Sequence, residues 1–223
     1  MAGMKGFYVG FGALAVGGAG VLLVAMSRGA AELPSGPIEI AAIESGRGWG
    51  GYVVGDADAP VEIIEYADFE CPACRVQWVL TVQDVKQRLV ATGRARYAFR
   101  DFPLSMHVNS RPAHHAAACA DEQGMFEQMH DELFGMQDKW TGRSDAESRF
   151  RRYAGDIGVD LDRYDACMEE GRYRGRIQAS IEGGVALGVT STPAFIIGNR
   201  LYSGISYDEI KAIVDSLTAV ASQ

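Results

Sequence analysis

Positive charge is scarce in this sequence, and so are cysteine and low-complexity segments. The 223 residues include 21 Lys and Arg against 29 Asp and Glu, which gives a net charge of −8 at pH 7. Nucleic-acid binding depends on a clustered basic face that displaces counterions from phosphates, so this composition excludes a nucleic-acid partner. Internal repeats are absent, and so are low-complexity tracts beyond residue 50. With 48% hydrophobic residues, the chain is long enough for one good-sized core, or at most two domains.

The N-terminus is a long run without charge. After Lys5, the 21 residues from Gly6 to Met26 include no charged side chain. A helix of this length can cross the roughly 30 Å core of a bilayer. We therefore predict a short cytoplasmic tail and a transmembrane signal anchor over residues 1–27. The alternative is a signal peptide cleaved near Gly29–Ala31, but the apolar run is long for a signal core and Arg28 precedes that site.

Both interpretations export the rest of the chain. The anchor predicts a single-pass protein of the cell membrane, with its folded domain on the extracytoplasmic side and its membrane contact through residues 6–26. Cleavage predicts a periplasmic or secreted protein instead. Residues 28–50 mix Gly, Pro, Ser and charges without a sustained period, which is typical of a linker. The folded domain is predicted to span residues 51–221.

The first half of this domain is predicted to be a β-α-β unit. Val61–Tyr66 is β-branched and largely apolar, as in a buried strand, and apolar positions then recur at helical spacing from Pro72 to about Ala91. Arg96–Phe99 has the composition of a second strand, which a crossover helix would leave parallel to the first.

A helical insertion at about residues 105–188 follows, and a hairpin and a helix close the chain. Ala194–Ile197 and Leu201–Ser203 flank a Gly-Asn-Arg turn, and Tyr207 to about Val220 is amphipathic. The fold class is therefore α/β, in the order β-α-β, helical block, β-β-α. The helices predicted in the insertion are Ala113–Ala120, capped by Asn109-Ser110, and Met125–Phe134, Asp145–Tyr153, Leu161–Met168 and Tyr173–Leu187.

Two of the four cysteines form a Cys71-Pro72-Ala73-Cys74 motif at the strand-to-helix junction, where such a pair is typical of redox chemistry. A thiolate at a helix N-terminus is stabilised by the macrodipole and by unpaired N–H groups, so Cys71 is expected to be the attacking sulfur. Cys74, one turn further, is expected to attack the mixed disulfide on Cys71 and release the partner.

Two other interpretations of the motif stay open. A zinc half-site would need two more ligands from Cys119, Cys167 or a histidine, and no second CxxC is present. A purely structural disulfide would close a loop too short to stabilise the fold much. We predict neither a metal site nor a cofactor.

Four segments together resemble the DsbA-like branch of the thioredoxin superfamily. They are residues 55–61 (GDADAPV), 65–74 (EYADFECPAC), 100–104 (RDFPL) and 188–195 (GVTSTPAF). They occur in the family's order, and with the helical block they cover about residues 51–220. The resemblance implies a thioredoxin fold with an all-helical insertion.

The resemblance also implies roles for residues outside the CPAC motif. Thr192-Pro193 resembles the cis-proline loop that presents its backbone to an extended substrate. Glu65, six residues before Cys71, resembles the family's buried acid and would relay the proton of Cys74, unless it faces solvent on an edge strand. Ala73 stands where strong oxidants of the family often carry a histidine, which predicts a less oxidising pair.

Cys119 and Cys167 lie in the helical insertion. In an exported domain, we expect them to form a structural disulfide, which would contribute up to about 4 kcal/mol in the chain-entropy model. The alternatives are two separate buried thiols or a second redox pair coupled to the first.

The predicted function is a thiol-disulfide oxidoreductase that introduces disulfides into exported proteins. Its expected partners are unfolded or reduced exported proteins and a membrane protein that reoxidises it. One alternative reverses the electron flow, as in a tethered reductase for cytochrome or metal-site assembly. Another is a non-catalytic carrier that binds copper or zinc through the thiols.

Overall fold

The computed structural model describes residues 38–39 and 51–221 of the chain. The predicted anchor at residues 6–26 and most of the predicted linker lie outside these residues. Within them, we find no helix that is both long and apolar enough to cross a membrane. The strands are β1 (Ile38–Glu39), β2 (Tyr52–Val54), β3 (Glu62–Ala67), β4 (Arg96–Asp101), β5 (Ala194–Ile197) and β6 (Arg200–Ser203).

One mixed sheet runs through the domain in the order β1-β6-β5-β3-β4-β2. β3 lies at its centre, parallel to β4 and antiparallel to β5, and this confirms the predicted β-α-β unit. β1 and β2 were not predicted. β2 is three residues long and pairs with β4, and β1 pairs with β6 although it falls in the stretch predicted to be a linker.

The helix predicted from Pro72 to about Ala91 is present as α1, residues 72–90. It consists of consecutive α and π segments. They are Pro72–Gln77 (α), Trp78–Val82 (π), Gln83–Val85 (α) and Lys86–Val90 (π). Turns follow, with Gly93 at φ 72°, a conformation in which glycine meets no Cβ penalty.

The insertion between β4 and β5 is helical, as predicted. Its helices are α2 (Ser110–Asp121), α3 (Phe126–Gly135), α4 (Gln137–Trp140), α5 (Ala146–Asp156), α6 (Leu161–Glu170) and α7 (Arg174–Ala186). The short α4 was not predicted. Asn109 precedes α2, but the prediction that its side chain caps the helix was wrong, because its amide donates to the carbonyls of Trp140 and Arg143 instead.

The predicted hairpin joins β5 to β6, and α8 (Tyr207–Ala221) closes the chain. Its two turn residues, Gly198 and Asn199, have φ of 56° and 61°. These positive angles suit a two-residue turn whose twist matches that of the strands.

The sheet separates two apolar layers. Alternate β3 residues point to opposite faces, so Ile63 and Ala67 lie in a large core with residues of α1, α8 and the insertion. Ile64 and Tyr66 point the other way, into a smaller core that α7 helps to cover through Ile181. The CPAC motif lies on the side of the larger core.

Candidate active site

Cys71 occupies the cap position at the start of α1, four residues after β3 ends. Its backbone is extended, with φ −76° and ψ 120°, and its carbonyl accepts the first helical hydrogen bond from the Arg75 N–H at 3.2 Å. Pro72 follows as the first helical residue, where it has no N–H to leave unpaired. The sulfur of Cys71 therefore lies at the positive end of the helix.

The partners of Cys71 favour its thiolate. Hydrogen bonding from the Cys74 side chain is the largest effect, and the Thr192 side chain and the amides of Ala73 and Cys74 add to it, so the pKa of Cys71 falls from 9.0 to about 5 against the opposing effect of burial. The Cys71 Sγ lies 3.6 Å from the carbonyl oxygen of Thr192. The Thr192–Pro193 peptide bond is cis. The two motifs that the sequence separates by more than a hundred residues thus meet at this sulfur.

Cys74 has the opposite environment. It is fully buried, and burial, reinforced by Cys71 and by the charge of Glu65, raises the pKa of its thiol well above the ordinary value. The N–H of Asp68 points at its sulfur at 3.5 Å. Both CPAC cysteines are free thiols here, one disposed to ionise and the other to stay protonated.

Glu65 is buried in the central strand, so the alternative in which it faces solvent on an edge strand was wrong. Burial raises its pKa from 4.5 to about 7, although the hydrogen bond from Tyr97 and the charge of Lys86 oppose this. Its carboxyl is close enough for its charge to act on Cys74. A buried acid with a pKa near neutrality can both take and give a proton.

The loop before Cys71 contains two acids, Asp68 and Glu70, that lie in the 65–74 motif. The sequence did not predict a role for either of them. Asp68 is fully buried and accepts hydrogen bonds from the N–H of Leu104 at 2.9 Å and from the Ser110 hydroxyl, and its Oδ2 lies 2.7 Å from His107 Nδ1. Glu70, also buried, accepts from the N–H groups of Asn109 and Gly142 at 2.6 and 2.8 Å. Their position directly before the motif was the one available signal. These carboxylates tie the loop to the insertion.

Two further side chains of the insertion reach the same loop. Gln137, the first residue of α4, donates to the carbonyl oxygens of Phe69 and Cys71 at 2.7 and 3.0 Å. His114 of α2 accepts from the Phe69 N–H at 3.4 Å, and its other ring nitrogen lies 2.6 Å from Asp101. No local periodicity marks either residue, because their partners are distant in sequence. The backbone that presents Cys71 is therefore held by the insertion.

Cys119 and Cys167 form a disulfide that joins α2 to α6. Together with His115 they are the one group of three histidine, cysteine or acidic side chains, among the described residues, whose ligand atoms could surround a metal. Cys71 and Cys74 are not in this group. CPAC, Glu65 and Thr192-Pro193, the three parts of the predicted site, come together at Cys71 and Cys74, whereas Cys119 and Cys167 cross-link two helices of the insertion.

A sequence model of the family described as Thioredoxin matches residues 49–216. The chain belongs to the thioredoxin family. Solved structures place it within the family's DsbA type of fold. Wolbachia pipientis alpha-DsbA1 has a TM-score of 0.68 and 22% identity, covering 76% of this chain and 91% of that one. A thioredoxin-like oxidoreductase from Silicibacter pomeroyi has a TM-score of 0.64 and 26% identity, covering 76% and 93%.

Curated relatives fall into two kinds. "Na(+)/H(+) antiporter NhaA 3" of Salinispora tropica is 34% identical over 172 residues, which are 76% of this chain and 25% of that protein. "Probable disulfide bond formation protein D" of Bacillus anthracis is 22% identical over 165 residues, covering 73% and 76%. The chain thus spans about a quarter of the antiporter-named relatives. Fold and relatives together support an enzyme of the thiol-disulfide oxidoreductase class.

Proposed function

We propose that this protein is an extracytoplasmic thiol-disulfide oxidoreductase that introduces disulfides into exported proteins through Cys71 and Cys74. The thiol of a client would attack the Cys71–Cys74 disulfide and form a mixed disulfide with Cys71, and Cys74 would leave and be protonated. A second client thiol would then attack the client sulfur and release Cys71 as a thiolate. The client loses two electrons and the enzyme pair gains them.

One observation carries this proposal: the pKa of Cys71 is lowered to about 5 while that of its partner Cys74 is raised. A stabilised thiolate is a good leaving group, and stabilisation of the reduced form makes a disulfide more oxidising. Both effects favour transfer of the disulfide to a client.

Glu65 is proposed to exchange the proton of Cys74. When Cys74 leaves as a thiolate during client oxidation, the protonated carboxyl supplies its proton. When the pair is reoxidised, the carboxylate takes that proton back. A pKa of about 7 keeps both forms populated near neutral pH.

Two features of the surface support unfolded polypeptides as clients. The carbonyl of Thr192 faces the Cys71 sulfur, where an extended client segment can pair with the backbone of the cis-proline loop. On α1, Val76, Val79 and Leu80 are 55%, 54% and 68% exposed. Apolar side chains exposed on the helix that begins at the reactive cysteine suit an unfolded partner, whose own apolar side chains are also exposed.

The extracytoplasmic location is part of the proposal. It is supported by the uncharged run at residues 6–26, proposed as a membrane anchor, and by the Cys119–Cys167 disulfide, because such cross-links persist mainly in oxidising compartments. The reoxidising partner is proposed to be a membrane protein that accepts electrons from the reduced pair.

Ala73 favours a second candidate, a tethered reductase, because it supplies no cation to the Cys71 thiolate. The deciding measurement is the reduction potential of the Cys71–Cys74 pair by equilibration with glutathione. We expect a value closer to the roughly −120 mV of a strong oxidant than to the roughly −270 mV of thioredoxin. A value near thioredoxin's would favour the reductase.

Activity assays complete the test. The oxidised protein should restore activity to reduced, unfolded ribonuclease, and Cys71→Ser should abolish this. If the wild type neither refolds ribonuclease nor reduces insulin, and its reduced form binds one equivalent of Zn²⁺ or Cu⁺, the enzyme proposal fails and the thiol metal carrier replaces it.

A further inference from the structure

A tyrosine on the neighbouring strand contacts the buried acid of the proposed site. The Tyr97 hydroxyl donates a hydrogen bond to a carboxyl oxygen of Glu65. Both side chains are buried, 1% and 3% exposed, so water does not replace this bond. Since a carboxylate accepts such a bond more strongly than a neutral carboxyl does, the phenol favours the charged form of Glu65.

Strand register explains how the two side chains meet. In the parallel β3–β4 pair, Ile63 lies opposite Tyr97 and Glu65 lies opposite Phe99. Tyr97 is therefore the diagonal neighbour of Glu65 on the same face of the sheet, a distance that an aromatic side chain can span. The antiparallel neighbour on the other side, β5, places the non-titratable Phe195 opposite Glu65.

A lysine of α1 completes the surroundings of the acid. The Lys86 Nζ lies 5.4 Å from the centre of the Tyr97 ring and 2.5 Å from a carboxylate oxygen of Glu127. Its side chain is 17% exposed, whereas that of Glu127 is 42% exposed. Its positive charge also acts on Glu65. Among the residues that the structure describes, the titratable and charged groups that act on Glu65 or on which it acts are thus Cys74 and Lys86 from α1 and Tyr97 from β4.

We infer that Tyr97 is a positioning residue for proton exchange at Cys74, because it fixes the Glu65 carboxyl and, with Lys86, stabilises its charged form. This rests on the proposed function. In the step concerned, the Cys74 thiol gives its proton to the Glu65 carboxylate while the Cys74 sulfur attacks Cys71. The bond between Cys71 and the partner sulfur breaks, and the partner leaves as a thiolate.

The aryl disulfide DTNB separates this step from the one before it. The Cys71 thiolate attacks DTNB, forms a mixed disulfide and releases one coloured thiolate. Cys74 then attacks Cys71 and releases the second, so that the dithiol loses two electrons and DTNB gains them. Stopped-flow absorbance on the reduced full chain resolves the two releases, and the second is followed as a function of pH.

In the wild type, the rate of the second release should rise with pH through an inflection near the Glu65 pKa of about 7. Tyr97→Phe keeps the packing but removes the hydroxyl, so the inflection should move up by about one to two pH units, as expected for loss of a hydrogen bond to a charged group. A shift of about one unit slows the second release about five-fold at pH 7. The first release should not change.

Three variants make the result specific. Lys86→Gln should move the inflection in the same direction, and it serves as the second test if Tyr97→Phe folds poorly. Tyr164→Phe is the matched control, because this hydroxyl is also buried and has no hydrogen-bond partner among the described residues. In a Glu65→Gln background the inflection should be absent, and Tyr97→Phe should have no further effect.

The outcomes separate the two proposals. If the wild type releases no thiolate through Cys71 and Cys74, the proposed function fails. If the wild type shows both releases but Tyr97→Phe follows its pH profile, the inference about Tyr97 is overturned and the function stands. A further effect of Tyr97→Phe in the Glu65→Gln background would also overturn it, since Tyr97 would then act through another group.

Discussion

The hydrogen bond between the two CPAC side chains gives the sharpest prediction about Cys71. Hydrogen bonding from the Cys74 side chain is the largest of the effects that lower the pKa of Cys71 to about 5. Cys74→Ala removes this donor, whereas the helix N-terminus and the Thr192 loop remain. The pKa of Cys71 should therefore rise in this variant.

The size of the rise follows from the strength of the lost bond. A hydrogen bond to a charged group contributes about 1.5 to 3 kcal/mol, and one pH unit corresponds to about 1.4 kcal/mol. A thiol is a weak donor, so we expect the lower end of this range, a rise of about one pH unit. At pH 5 the thiolate fraction then falls from about one half to about one tenth.

Alkylation by iodoacetamide measures this directly, because only the thiolate reacts. In the Cys74 variants Cys71 is the one free thiol, since Cys119 and Cys167 are paired. The rate for Cys74→Ala at pH 5 should be about five-fold below the wild-type rate, and the two rates should converge well above neutral pH. Cys74→Ser retains a hydroxyl donor and should show a smaller rise.

If Cys71 titrates at the wild-type pKa in Cys74→Ala, the Cys74 thiol does not stabilise the Cys71 thiolate. Equal raised pKa values in the serine and alanine variants would likewise contradict the prediction, because a hydroxyl donor would then have no effect.

Three further predictions concern stability and are measured by urea unfolding. In a Cys71→Ala/Cys74→Ala background, adding Cys119→Ala/Cys167→Ala should lower the free energy of unfolding by up to about 4 kcal/mol, because the cross-link joins residues 48 apart. A loss below about 1 kcal/mol would contradict this. Glu65→Gln should be as stable as the wild type below pH 4.5 and about 3 kcal/mol more stable above pH 7. The reason is that the folded wild type must ionise a buried carboxyl whose pKa is raised from 4.5 to about 7. Equal stability of the two proteins both below pH 4.5 and above pH 7 would disprove the shift. Gln137→Ala should lose about 1 to 3 kcal/mol by leaving the Phe69 carbonyl without its donor, whereas Gln178→Ala on the exposed face of α7 should change little.

The elements with strong local patterns could be predicted from the sequence. The apolar β-branched run at β3, the helical spacing after Pro72 and the Gly-Asn turn of the hairpin each depend on neighbours in the chain. The short strands β1 and β2 could not be predicted in this way. A strand of two or three residues is too short to show an alternation of apolar and polar side chains. The conformation of β1 and β2 depends instead on their pairing with β6 and β4.

The same distinction applies to the site. Cys71, Cys74 and Thr192-Pro193 lie in recognisable motifs, so their meeting could be anticipated from the family resemblance. The roles of Tyr97 and Gln137 could not, because each depends on a contact between segments far apart in sequence. A tyrosine in a strand and a glutamine at a helix start are ordinary residues until their partners are known.

The attachment of the CPAC loop to the insertion limits how this domain can be shortened. An engineered minimal version, with β4 joined to β5 by a brief connection, would keep the sheet, α1 and both reactive cysteines. It would also remove Ser110, Asn109 and Gly142, and with them hydrogen-bond donors to the buried carboxylates of Asp68 and Glu70. Each hydrogen bond lost in this way contributes about 0.5 to 1.5 kcal/mol to stability, so the two acids would hold the loop less firmly. A smaller oxidoreductase built from this chain would therefore need new residues at both acids, chosen together with the new connection.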